Sequence, residues 1–271
     1  MTHQCSVKDV RSLKDALNLA AWLKDSKQSN LKERVGRRIG ELAANSGSDK
    51  EGTAKQLFNS TLQNLSELRE KIVEASEQNK YGIYSNTHHG NRHSDTDKCA
   101  ENITATFVTV LPRLHATLNY MWTNVHNPTN IVGRGNWIKQ KCNGPRTSSE
   151  AEETLFDFLT YNGEDYEDGY NTMLYGGYSE NSREGSSELS TNKGSDLEEP
   201  LQKLLGTGIE NASTASLRKL LDVLGLLSYD MTAVYLSAAA VLGTLGVGGA
   251  AAVATNFMGW GTALYALLGF A

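Results

Sequence analysis

The chain has 271 residues, 39% of them hydrophobic, with 26 Lys and Arg against 31 Asp and Glu for a net charge of −5. That length can bury a real core in one large domain or two small ones, and without a basic excess or long basic run there is no electrostatic footprint for a nucleic-acid partner. Three cysteines, Cys5, Cys99 and Cys142, exclude a disulfide-dense scaffold and allow at most one bridge within the chain, for which Cys99 with Cys142 is the candidate pair in an oxidising compartment.

The amino terminus runs directly into charged residues and shows no apolar stretch of signal-peptide type. Export would therefore use another route or a leader outside this sequence. A first helix is expected over about residues 7–25, with Leu13, Leu17, Ala20 and Trp22 on or beside one apolar face. Residues 26–30 should break it. Asn30 and Glu33 have capping-box spacing ahead of Leu31, Val35, Ile39 and Leu42, which predicts a second helix over 31–44. The third, over 53–79, is the clearest: Phe58, Leu62, Leu65, Leu68, Ile72 and Ala75 step by three and four, and Glu67 with Lys71 is a favourable pair on the charged face. After a polar loop comes a fourth helix over 99–126, with Ile103, Phe107, Leu111, Leu114, Leu118, Met121, Trp122 and Val125 facing inward. Pro112 should kink it.

From residue 129 the composition turns to Gly, Asn, Ser, Thr and Tyr, which reads as loop interrupted by one short helix over about 148–160. Residues 179–196 contain almost no apolar side chain and are expected to be flexible. A short helix over 197–205 carries Pro200 in its first turn, and Leu217, Leu220, Leu221, Leu224 and Leu227 form an amphipathic stripe. No stretch alternates as a strand should, and no fixed-period repeat is visible. The expected fold class is all-α, an irregular helical bundle with a long polar loop region and an apolar C-terminal helical tail. Three regions follow: a helical bundle over 1–126, a loop-rich region over 127–230, and the tail over 231–271.

That tail contains no Asp, Glu, Lys, Arg or His. A bilayer core of about 30 Å takes roughly 20 apolar residues in a helix, so residues 232–254 can span once, with Thr232, Leu236, Ala240, Thr244, Gly248 and Ala252 along the span. Ala240, Thr244, Gly248 and Ala252 recur every four residues and offer a face for a second helix, within the chain or between chains. Trp260 and Tyr265 lie beyond, where aromatic rings often meet the lipid boundary. Two rival readings stand beside this one: a buried helical hairpin turning at Thr255 and Asn256, and a lipid-anchor signal.

Candidate chemistry is sparse. His88, His89 and His93, with Asp95 nearby, form the one metal-like cluster, set in a Gly-containing loop that promises no fixed geometry. His115 reads as a satisfied boundary histidine. The acidic cluster over 164–168, with Asp157 upstream, lacks the register of a calcium loop. Gly133-Arg134-Gly135 and Gly176-Gly177 do not extend into a phosphate cradle, and the common hydrolase and zinc signatures are missing. Tyr161, Tyr166, Tyr170, Tyr175 and Tyr178 read either as rings packed over the core or as a recognition surface. N-x-Ser/Thr triplets begin at Asn59, Asn64, Asn102 and Asn211. These features predict no enzyme, no cofactor, no bound metal and no small-molecule substrate.

Several blocks taken together resemble the secreted antigen family of Babesia, a piroplasm parasite. They are Ser12-Leu13-Lys14-Asp15-Ala16-Leu17 with Trp22-Leu23, and Leu111-Pro112-Arg113-Leu114 running on through Tyr120, Trp122 and Val125. Further blocks are Gly133 to Trp137, Gly176-Gly177-Tyr178, Ser187-Glu188-Leu189 and Asn192-Lys193-Gly194-Ser195. The resemblance implies a helical protein released or displayed by an intraerythrocytic parasite, with no catalytic set to carry over. The expectation is a secreted or membrane-anchored surface antigen, acting in display, adhesion or host interaction. Its partners would be a membrane through the tail, a host protein, or a second copy through the small-residue face. The alternative is a soluble intracellular interaction module whose tail is a buried helical hairpin.

Overall fold

The computed structural model describes residues 10–44, 50–78, 94–126, 155–163, 173–181, 186–190, 194–206 and 215–226. By its contacts the chain divides into two compact units, 1–226 and 227–271. The second lies outside the described residues, and with it Thr232, Leu236, Ala240, Thr244, Gly248 and Ala252. The described part is all-α, as the apolar periodicity predicts.

Helix α1, Leu13–Lys24, starts where a reciprocal cap forms: Ser12 Oγ accepts from the Asp15 amide at 3.0 Å, and Asp15 Oδ2 accepts from the Ser12 amide at 3.3 Å. That cap fixes the start six residues later than the expected 7. The helix buries Leu13, Ala16, Leu17, Leu19, Ala20, Ala21, Trp22 and Leu23, so it is covered on more than one face. A short 3-10 turn, Ser26–Gln28, is capped by Asp25 and leads straight into α2, Ser29–Ala44. Asn30 therefore lies inside the helix and accepts from Arg34 Nε at 3.1 Å instead of capping it.

Helix α2 turns Leu31, Val35, Gly36, Ile39, Gly40 and Ala43 inward. Leu42, expected on that stripe, is 43% exposed, and Ala43 holds the inner position. The glycines let α2 lie close to α3, Glu51–Ile72: a Cβ on Gly40 would stand 2.8 Å from Glu51 Cγ and 3.1 Å from its carbonyl oxygen. Helix α3 is the hub. It packs against α1, α2, α6 (Glu198–Leu205) and α7 (Ser216–Val223), and Phe58, Leu62, Leu65, Leu68 and Ile72 are at most 1% exposed. It stops at Ile72, well short of 79, because Val73 turns extended and pairs with Leu189. Ala75 falls beyond the helix. Glu67 accepts from Gln63 at 2.8 Å and from Lys203 of α6 at 3.2 Å, so it ties α3 to a helix far along the sequence.

Helix α4, Ser94–His126, starts earlier than expected and carries Pro112 inside it, which removes the amide that would serve the Val108 carbonyl. Phe107 meets Phe58 edge-on at 5.4 Å. Helix α5, Leu155–Thr160, sets Phe158 against Tyr120 of α4 at 5.1 Å. A 3-10 turn, Gly194–Leu197, leads into α6, which closes on Gly206 at φ 66°. Helix α7 buries Leu217, Leu220 and Leu221. The described residues of 155–226 thus join the same body as α1 to α4. Within the stretch expected to be flexible, Glu180–Asn181 (β1) and Ser186–Ser187 (β2) pair antiparallel.

Candidate functional site

Residues 173–181 and 186–190 form a strap across the start of α1 and the end of α3. A helix leaves its first amides without internal partners. Here the strap supplies them: the Leu13 amide donates to the Tyr175 carbonyl at 2.7 Å and the Lys14 amide to the Gly176 carbonyl at 3.1 Å. The same segment closes α5, with the Gly177 amide donating to the Tyr161 carbonyl at 2.8 Å and the Tyr178 amide to the Leu159 carbonyl at 2.9 Å. Its entry is held by α4, where Thr117 Oγ1 accepts from the Leu174 amide at 2.8 Å.

Both glycines are required by this crossing. A Cβ on Gly176 would fall 2.2 Å from the Leu159 carbonyl oxygen and 2.3 Å from that of Phe158. Gly177 has φ 77°, and a Cβ there would fall 2.6 Å from the Ser12 Cβ. The pair, which does not extend into a phosphate cradle in the sequence, is the place where three backbones meet.

Beyond the β1–β2 hairpin the strap crosses α3. The Glu74 amide donates to the Glu188 carbonyl at 2.8 Å, the Ser190 amide to the Ile72 carbonyl at 2.8 Å, and Ser190 Oγ to the Lys71 carbonyl at 2.7 Å. The Glu188 carboxylate takes Lys14 Nζ on both oxygens, at 2.6 and 2.7 Å, and also accepts from the Ser179 amide at 2.9 Å. Beneath lies Arg69 of α3, 3% exposed. Its Nε donates to Asn18 Oδ1 at 2.6 Å, and its terminal nitrogens donate to the carbonyls of Gln78 at 2.5 Å and Glu77 at 3.2 Å. One buried cation therefore joins α1 to the turn that follows α3.

Tyr178 is buried at the centre of the strap, and burial pushes its phenol well above the ordinary range, so it stays neutral. Lys14 Nζ sits 6.0 Å from its ring centroid. Tyr161 and Tyr175 meet edge-on at 6.2 Å. Of the five tyrosines in the aromatic run, these three are packing residues; Tyr166 and Tyr170 lie outside the described residues. Arg113 of α4 donates to the Met173 carbonyl at 3.4 Å, and burial lowers its pKa.

His115 is buried, with Nδ1 3.1 Å from Asn119 Nδ2. His88, His89, His93, residues 164–168 and Gly133 to Gly135 lie outside the described residues. Among the described residues no group of three His, Cys, Asp or Glu could hold a metal ion. Among them, too, no helix is long and apolar enough to cross a membrane. Cys99 is 1% exposed and disulfide-bonded, and both of the chain's other cysteines, Cys5 and Cys142, lie outside the described residues.

Sequence reasoning missed the strap's ties, because Lys14 with Glu188 and Arg69 with Asn18 are matched across long separations that no local period reports. No protein-family profile matches the chain, and no curated protein or solved structure matches it.

Proposed function

We propose that the chain is a non-enzymatic surface antigen of the parasite type, secreted or fixed to a membrane by residues 231–271, acting in display, adhesion or host interaction. The observation that supports the export part of this reading is the disulfide at Cys99, buried on α4. A stable bridge belongs to an oxidising compartment and is rare where glutathione keeps thiols reduced. Cys142 is its proposed partner. A body of tied helices suits display, since the Lys14, Glu188 and Ser179 contacts pin the strap to the start of α1. A host protein or a second copy bound through the small-residue tail face is the proposed partner.

The test is thiol trapping in the cells that make the protein. Rapid acid quenching and alkylation, followed by peptide mapping, should find Cys99 linked and one cysteine alkylated. Three alkylated cysteines would place the protein in a reducing compartment and favour the intracellular interaction module instead.

A further inference from the structure

Threonine hydroxyls inside helices ordinarily turn back to the carbonyl one turn earlier. Thr104, Thr109, Thr117, Thr123 and Thr160 do so here, each donating to the residue four positions before, at 2.6 to 3.0 Å. Thr61 of α3 does not. It is 0% exposed, and its Oγ1 has no hydrogen-bond partner. A hydroxyl that loses water and gains nothing in return weakens the fold, and valine would fill the same shape without that loss. Packing therefore gives no reason for threonine at 61.

The residues just before it offer one. Asn59, Ser60 and Thr61 form an N-x-Thr triplet, and Asn59 is exposed on the solvent face of α3 beside Ser60 and Gln63. An oligosaccharyltransferase reads such a triplet on the extended chain, before α3 forms, and needs the hydroxyl only then. We infer that Asn59 is an N-glycan acceptor, and that the buried Thr61 hydroxyl is the trace this modification leaves in the folded core. In the transfer, Asn59 Nδ2 bonds to C1 of the first sugar of a lipid-diphosphate-linked oligosaccharide. The bond from C1 to the diphosphate breaks, the lipid diphosphate leaves, and the amide gives up one proton.

The neighbouring triplet supplies an internal contrast. Asn64 Nδ2 donates to Ser216 Oγ at 2.9 Å and to the Lys203 carbonyl at 3.4 Å, so a sugar there would stand between α3 and the α6–α7 pair. Asn102 is exposed, but the Thr104 hydroxyl is already bonded to the Ala100 carbonyl, and nothing about that triplet calls for a second explanation.

The inference rests on the export reading, so the experiment supplies the route: the full chain is expressed behind an added leader in a eukaryotic secretory host, beside T61V and T61S. Mass mapping after glycosidase release in heavy-oxygen water should show Asn59 occupied in the parent and T61S and empty in T61V, with Asn64 empty throughout. The same T61V chain made in bacteria should melt at or above the parent's temperature. An empty Asn59 in the parent, comparable occupancy at Asn64 in folded protein, or a lower melting temperature for bacterial T61V would each overturn it. Because the leader is added, none of these outcomes bears on whether the native chain is exported.

Discussion

At Gly176 the nearest obstacles to a side chain are carbonyl oxygens of α5, which cannot rotate away. Gly176→Ala is expected to cost about 3 kcal/mol by forcing α5 off the strap, and Gly177→Ala about 1–2 kcal/mol from its left-handed backbone; urea unfolding followed by circular dichroism measures both. The Lys14–Glu188 pair is about 30% exposed on each side, so a double-mutant cycle should return a coupling of only about 1 kcal/mol or less. Glu67 titrates below its ordinary value of 4.5, held there first by the Gln63 amide and then by Lys203. A depressed carboxylate contributes stability that is present above its unfolded pKa and lost as pH falls through the folded one. Stability should therefore fall below about pH 4.5, and E67Q should flatten part of that acid limb in urea midpoints taken from pH 5 to 3. Parallel acid limbs would show that Glu67 adds nothing.

At the scale of elements, α3 carries the fold, and its stripe was legible because five of its apolar residues lie on one face and are buried by the helices packed around it. Leu65→Ala should cost about 2–5 kcal/mol. Gly40→Leu should cost about 1–3 kcal/mol by prising α2 from α3, whereas Leu42→Glu, on the exposed side, should stay within about 0.5 kcal/mol; thermal melts separate the three. Helix identity could be read from the sequence, but helix ends could not. The end of α3 is decided by Leu189 pairing with Val73, and the start of α2 by a 3-10 turn that absorbs the expected break. Nor did composition show that the Gly- and Ser-rich stretch holds a pinned strap, since its few anchoring side chains, Tyr178, Glu188 and Ser190, find their partners on α1 and α3, far away in the sequence.

Taken whole, residues 1–226 form one compact unit with its own buried core, closed by α6 and α7 returning onto α3. A chain ending at Asp230 should therefore unfold in a single cooperative transition seen alike by circular dichroism and tryptophan fluorescence. Reducing the Cys99 bridge should lower its stability by about 2–4 kcal/mol. The most direct test of membrane display is alkaline carbonate extraction and detergent partitioning of the full chain beside the chain ending at Asp230. The account predicts that the full chain stays with membranes while the shorter one is soluble and folded. Release of the full chain into the soluble fraction, with the shorter chain unfolded or aggregated, would make the tail part of the core and contradict it.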